Sequence, residues 1–426
     1  MGTALLTDHY ELTMLSAALR DGTAHRRCVF EVFARKLPPG RRYGVVAGTG
    51  RLIEAVAEFR FDPDELDHLI GNQVIDAETA RWLASYRFAG DIHGYPEGEL
   101  YYPGSPILTV TGSFAECVLL ETLILSILNH DSAIAAAAAR MVTAARGRRL
   151  IEMGSRRAHE QAAVACARAA YLAGFASTSN LAAGRRYGIP TAGTAAHSFT
   201  LLHDDESGAF ASQVAALGKQ TTLLVDTFDI SEGIRRAVAV AGPGLGAIRI
   251  DSGDVSVLAR QSRELLDSLG AVDTKIIVSG DLDEYAIAAL AAEPVDAYGA
   301  GTAVVTGSGA CTAGLIYKLV EVDGRPVVKR SEHKATIGGR KIALRRHKPT
   351  GTAIEELVLS QRTPEPGPHD RLLQRPYVIG GEPEPDLPTL AESREHVRAG
   401  LVSVPWEGLK LSAGDPAIPV TIIGGV

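Results

Sequence analysis

Five short apolar runs in this 426-residue chain each end in a tight cluster of Gly, Asp, Ser, Thr or His. They read PTAGTAAHSF (190–199), TLLVDTFD (222–229), GAIRIDSGD (246–254), KIIVSGDLD (275–283) and VDAYGAGTAVVTGS (295–308). Helix-like stretches separate them, and the step from one to the next is about 20–30 residues, the size of a strand-plus-helix repeat. This alternation predicts an α/β chain built on a parallel β/α barrel or a doubly wound sheet. In both architectures chemistry gathers where strands end and loops begin, so the five clusters are five converging candidate loops.

The flanking sequence reads differently. Residues 1–130 mix short strands (CVFEVFAR, PILTVTG) with helices expected near 9–21, 48–58, 62–70 and 76–85, the pattern of an N-terminal α+β domain. Asp131 or Ser132 is the expected cap of an alanine-rich helix that stops at Gly147. Residues 131–345 are expected to form the barrel domain, with YKLVEVDGRPVVK a hairpin turning at Asp323-Gly324. Ten of the 21 prolines follow residue 360, so 346–426 is expected to be an irregular, Pro-rich segment packed back on the other domains.

Composition narrows the class. Hydrophobic residues make up 46% of the chain and charged ones 22%, an ordinary globular balance. A net charge of −7 argues against nucleic acid or an anionic membrane as partner. The cysteines at 28, 117, 166 and 311 form no C-x-x-C pair, which suits a reducing, cytoplasmic setting. The N-terminus shows no apolar secretory h-region, and CVLLETLILSILN, broken by Glu121, reads as a buried helix rather than a membrane span.

Within the clusters, His197 stands at a strand end beside small residues. Alone it reads as a capped loop histidine, but Asp226 of the next cluster is expected on a nearby loop, where it could accept the Nδ1–H and fix the tautomer. Arg249 and Asp251 lie two apart on one strand face: either a buried ion pair, or a carboxylate fork beside a group that holds a sugar hydroxyl. The turns at Ser279-Gly280-Asp281 and Gly299-Ala300-Gly301-Thr302 offer backbone N–H groups to an anion, or simply meet a turn's demand for positive φ. EMGSRR is read as opening a helix at 158, where Arg156 and Arg157 either meet a bound anion or form a solvated basic turn. Lys329–Lys334 with Arg340, Lys341, Arg345 and Arg346 is the densest basic patch, a wet face or a polyphosphate counter-charge.

These motifs together resemble the nicotinate phosphoribosyltransferase family. The resemblance runs from TDHYELTM through FEVFARKLP, EMGSRRAHE, TSNLAAGRRYGIPTAGTAAHSF, LLVDTFD, IRIDSGD and GAGT to KRSEHKATIGGRK, over roughly residues 5 to 345. It implies a type II phosphoribosyltransferase fold: an N-terminal α+β domain, an irregular β/α barrel, and a homodimer with active sites at the interface. The implied reaction joins nicotinate and phosphoribosyl pyrophosphate into nicotinate mononucleotide and pyrophosphate, in NAD salvage, with ATP as co-substrate and Mg2+ as cofactor, its ligands unassigned.

By the same resemblance His197 becomes a transient phosphohistidine oriented by Asp226, giving a ligase-type phosphoprotein. Tyr10 stacks on the pyridine ring from the neighbouring subunit, and Thr194 and Arg249 hold the nicotinate carboxylate. Arg156 lies beside ring and pyrophosphate. Asp251, with Ser252 and Gly253, meets the ribose, and Gly280, Gly299, Gly301 and Thr302 cradle the 5-phosphate. Asn180 replaces the aspartate of the nicotinamide enzymes, and its neutrality favours an acid substrate. A nicotinamide- or quinolinate-specific transferase, or a non-catalytic ligand sensor on the same fold, are the alternatives; the quinolinate enzymes are shorter and need no phosphohistidine.

Overall fold

In the computed structural model, which describes residues 2–329 and 337–424, the run RCVFEVFA forms a central strand, Arg27–Ala34. It is buried almost throughout: a strand pairs with each of its edges, and Cys28, Phe30, Val32 and Ala34 pack into the core. The sheet has seven antiparallel strands in the order Arg325–Pro326, Leu315–Val322, Arg27–Ala34, Leu108–Ser113, Asp91–Gly94, Arg375–Ile379, Glu382–Pro383. Asp323 and Gly324 turn the first hairpin with φ of 49° and 75°, the paired left-handed values of a type I′ turn. The helices His9–Asp21, Thr49–Ala57, Pro63–Gly71 and Ala77–Ala84 form where the sequence places them, three of them capped by an aspartate.

Residues Met1–Ala136 and Ala310–Val426 cluster into one unit, and Ala137–Gly309 into the other. The hairpin at 315–326 and everything after it therefore group with the N-terminal sheet rather than with the barrel repeats. The C-terminal segment is more regular than its prolines imply. Strand Ala353–Ser360 pairs with Lys341–His347 and Val420–Ile423, and Leu390–Ser403 is a helix with a capping box at Thr389. The prolines fall mostly between these elements, where a missing N–H costs no ladder bond.

The alanine-rich helix also differs from the sequence reading. It does not start at Asp131 or Ser132 but runs without a break over Glu121–Ala145. Both side chains are fully buried in mid-helix and serve the N-terminal unit: Asp131 accepts from Arg51 Nη1 at 2.8 Å, and Ser132 Oγ accepts the Ala47 N–H at 3.2 Å. A capping residue needs its oxygen free for the next turn, and these are committed to tertiary partners. The stretch Phe114–Ala145 is long and apolar enough to cross a membrane, yet 67% of its most apolar window is buried, as in a core helix.

Two residues of the expected basic patch turn inward. Lys341 is buried against Glu31 at 2.7 Å, and Arg345 bridges Glu99 and Glu356 at 2.5 and 2.6 Å. Glu99 also meets Arg371 and His396, each at 2.7 Å. The stretch from Arg330 to Lys334 lies outside the described residues.

The second unit carries the repeats. Its strands are β1 (Arg149–Glu152), β2 (Ser177–Thr178), β3 (Thr222–Leu224), β4 (Ala247–Ile250), β5 (Lys275–Gly280) and β6 (Ala297–Ala300). All pair in parallel, in the order β2-β1-β6-β5-β4-β3. This is the cyclic order of a barrel, opened between β2 and β3, and so a half-barrel. The chain crossing that opening is the first of the five clusters. PTAGTAAHSF was expected to be a strand; only Thr191 pairs, in one parallel bridge to Thr178. Gly193 and the alanines that follow supply neither β-propensity nor an apolar face to hold a longer ladder.

Removing Arg345 leaves the buried Glu356 without a cation among the described residues and takes one of three cationic partners from Glu99. Arg345→Met is expected to destabilise by about 3–5 kcal/mol, read as a lowered calorimetric transition.

Candidate functional site

The strand-end clusters carry acids in pairs with a division of labour. In V-D-T-F-D, I-D-S-G-D and G-D-L-D the second acid caps the next helix: Asp229, Asp254 and Asp283 accept N–H groups from the first turns of Ile230–Ala241, Val255–Ser268 and Glu284–Ala289. The first acids, Asp226, Asp251 and Asp281, are left at the carboxyl ends of β3, β4 and β5 for other work.

Arg249 ties this rim together. Its neighbours on β4, Ile248 and Ile250, point into the apolar core, which leaves the arginine on the opposite face. Its side chain is 12% exposed. Nε donates to Ser279 Oγ at 2.8 Å and Nη1 to Thr194 Oγ1 at 2.6 Å and the Ala195 carbonyl at 3.3 Å. Nη2 donates to Asp251 Oδ1 at 3.0 Å. Of the five guanidinium N–H groups, one is left for a ligand. The expected open fork for a carboxylate is therefore mostly taken, because a guanidinium this buried must be satisfied within the protein.

Asp251 also accepts from Ser279 Oγ at 2.5 Å. Burial pushes its carboxyl up, but the Ser279 and Arg249 hydrogen bonds outweigh that and hold it below the ordinary carboxylate value. Asp226 Oδ2 accepts the Asp251 backbone N–H at 2.9 Å and Ser252 Oγ–H at 2.7 Å. Its Oδ1 is buried without a hydrogen-bond partner and lies 4.0 Å from His197 Nε2.

His197 opens the short helix His197–Leu201, with a side chain 41% exposed. Its Nδ1 lies 3.1 Å from Thr227 Oγ1. The sequence reading put Asp226 at Nδ1; here Thr227 occupies that side and Nε2 faces the carboxylate. The pair is at van der Waals rather than hydrogen-bond distance.

A cavity of about 250 Å3 opens over the ends of β1, β4, β5 and β6. Its cations are Arg156, Arg157 and Arg249, and its acids Asp251 and Asp281. Arg156 and Arg157 sit on the 3-10 turn Ser155–Arg157, ahead of a helix that starts at Glu160 rather than 158, because His159 caps it. Both are exposed, and among the described residues neither has an ion-pair partner. The floor is made of small residues: Gly280, Gly299, Gly301 and Thr302. Gly280 has φ +120°, which requires glycine, and a Cβ on Gly299 would lie 2.8 Å from Met153 Sδ and 3.0 Å from Ser279 Cβ, so the floor is closely packed there. The helix after Gly301 is only Thr302–Val305, so anion affinity here would rest on loop N–H groups and arginines.

Other expected residues are not among those that line this cavity. Ser252 and Gly253 do not line it, and Ser252 is bound to Asp226. Asn180 caps the helix Leu181–Tyr187 through Oδ1 and donates from Nδ2 to Ser155 Oγ at 3.0 Å, a structural use of both ends. Tyr10, in the other unit, is 43% exposed in the first turn of its helix, and burial with the nearby Glu121 and Glu11 carboxylates pushes its phenol up. Ser279, Asp281 and Thr227 were not picked out as site residues; Ser279 and Asp281 stand in the S-G-D motif itself and were legible there.

No group of three or more His, Cys, Asp or Glu fit to hold a metal ion occurs among the described residues. The arrangement suits a Mg2+ carried mainly by a ligand's own phosphates, with Asp281 or Asp251 as the protein's carboxylate.

The comparisons with known proteins agree with one another. A sequence profile of the nicotinate phosphoribosyltransferase (NAPRTase) N-terminal domain matches residues 5–129. The chain is 63% identical to nicotinate phosphoribosyltransferase pncB1 of Mycobacterium tuberculosis, over 98% of this chain and 95% of that protein. It is 37% identical to the Bacillus subtilis nicotinate phosphoribosyltransferase, over 79% of this chain and 72% of that one. Its fold matches the solved structure of human nicotinic acid phosphoribosyltransferase with a TM-score of 0.85 and 26% identity, over 98% and 97% of the two chains.

Because Asp251 titrates lower in the folded protein, its contribution to stability is complete above the unfolded carboxylate value, about pH 4, and is lost as pH falls through the folded value. Asp251→Asn is therefore expected to flatten the acid limb of a Tm-against-pH curve between about pH 2 and 5.

Proposed function

The chain belongs to the nicotinate phosphoribosyltransferase family, and from that premise we propose that it joins nicotinate to phosphoribosyl pyrophosphate, releasing pyrophosphate and supplying nicotinate mononucleotide for NAD salvage. The observation that carries this reading is the cavity in which Arg156 and Arg157, without an ion-pair partner among the described residues, face a glycine floor beside Arg249 and Asp251. It offers two cations for a polyphosphate, a cradle for a second phosphate, a carboxylate for a sugar hydroxyl, and one remaining Arg249 N–H for the nicotinate carboxylate.

In the transfer step the pyridine nitrogen attacks the anomeric carbon while its bond to pyrophosphate breaks. Positive charge develops on the sugar, where Asp251 is placed to stabilise it, and negative charge on the leaving group, which Arg156 and Arg157 receive. Gly280, Gly299, Gly301 and Thr302 hold the 5-phosphate. Mg2+, when bound, neutralises the departing pyrophosphate. Tyr10, 43% exposed with its hydroxyl hydrogen-bonded to Glu121, is assigned to the pyridine ring in a neighbouring copy of a homodimer.

ATP is the phosphoryl donor in a separate step. His197 takes its γ-phosphoryl group: an imidazole lone pair forms the N–P bond, the P–O bond to ADP breaks, and the other nitrogen keeps its proton. The unpartnered Oδ1 of Asp226, 4.0 Å from Nε2, supports this role: a small ring rotation would make it the acceptor for Nε2–H, leaving Nδ1 as nucleophile. The phosphate so added changes the charge at the site's rim and favours the binding-competent form.

The test is a substrate panel of nicotinate, nicotinamide and quinolinate with phosphoribosyl pyrophosphate, each with and without ATP. Nicotinate turnover stimulated by ATP is expected; preference for either of the other bases would overturn the substrate reading. His197→Ala is expected to abolish ATPase activity and ATP stimulation while leaving weak ATP-independent transfer, and full ATP coupling in that variant would remove the phosphohistidine.

A further inference from the structure

Glu152, the last residue of β1, is 1% exposed and has no part in the chemistry above. Its Oε1 accepts the Gly154 N–H, and its Oε2 accepts Thr178 Oγ1–H at 2.5 Å. Thr178 Oγ1 in turn accepts the Asn180 N–H at 3.0 Å, and Asn180 Nδ2 donates to Ser155 Oγ at 3.0 Å. Since Ser155 adjoins Gly154, the bonds close a ring: Glu152, Thr178, Asn180, Ser155, Gly154 and back. Burial pushes the Glu152 carboxyl up, while the Thr178 and Gly154 bonds oppose it.

The ring fixes the turn whose next two residues are Arg156 and Arg157. On its other side the turn is pressed against the loop after β6: a Cβ on Gly154 would lie 2.2 Å from Val305 Cγ1 and 3.0 Å from the Gly301 carbonyl. Among the described residues no side chain pairs with either guanidinium. What the fold fixes for them is therefore the backbone from which they reach into the cavity, and that backbone is held by a carboxylate on one strand and a hydroxyl on the next. No other acid reaches this turn in the described contacts.

We propose that Glu152, acting through Thr178 and the Gly154 N–H, is a positioning residue for the anion cavity, setting Arg156 and Arg157 to receive the pyrophosphate group. This rests on the reading of the cavity as a phosphoribosyl pyrophosphate site. Glu152→Gln sets an NH2 donor against one of the two donors, and Thr178→Val removes the hydroxyl while keeping the shape. The experiment measures KM for each substrate, kcat, and calorimetric binding of inorganic pyrophosphate. In both variants the KM for phosphoribosyl pyrophosphate and the pyrophosphate dissociation constant are expected to rise about tenfold, with the nicotinate KM within about twofold. Thr178→Ser is expected to restore wild-type values. In an Arg156→Ala, Arg157→Ala background Glu152→Gln should add nothing further, as coupling through those side chains requires. Wild-type pyrophosphate affinity in both variants, or an equal rise in both KM values, would overturn the positioning role. Failure of the unaltered protein to bind pyrophosphate would instead overturn the cavity reading beneath it. If Glu152→Gln does not fold, Thr178→Val and its serine rescue decide the question alone.

Discussion

A buried guanidinium cannot be left unsatisfied, and the way Arg249 meets that demand organises the second unit. Its four protein bonds reach β5 through Ser279, its own strand's end through Asp251, and the segment crossing the barrel's opening through Thr194 and Ala195. That segment makes only one bridge to the sheet, so its place relative to β4 depends on this side-chain anchor rather than on a backbone ladder. His197 follows three residues after Thr194, and its approach to Asp226 depends on the same anchor.

The site is built from two layers of carboxylates with separate duties. Asp229, Asp254 and Asp283 spend their oxygens on helix N-termini and keep the repeats regular. Asp226, Asp251 and Asp281, two or three residues earlier, sit at the strand ends. Asp226 spends one oxygen on Asp251 and Ser252 and leaves the other unpartnered, an unusual cost for a buried carboxylate.

The N-terminal unit solves a different problem. Its helices and central strand were readable because their caps and apolar spacing are local, as at Asp62 and Asp76. Its ion network was not: Arg345 and Lys341 look like a basic surface in one dimension. Glu99 and Glu31 lie 246 and 310 residues away in the chain, too far for any spacing rule to pair them, and Glu356, only 11 residues on, meets Arg345 only because the two strands pair in that register. The same blindness made Asp131 and Ser132 look like a helix start, since a buried acid in mid-helix and a capping acid are the same letters.

By itself the sequence determined the repeat, the parallel sheet, and which loops would carry polar chemistry, because strand and helix periods and capping residues act over a few positions. It also exposed the S-G-D and G-A-G-T turns that floor the cavity. The tertiary structure decided how each hydrogen-bonding group is spent. It filled most of the Arg249 fork, turned Nε2 of His197 toward Asp226, used Asn180 as a cap, and joined Glu152 to the turn of Arg156. Donor and acceptor allocation depends on residues brought together from distant strands, and only folding brings them within bonding distance.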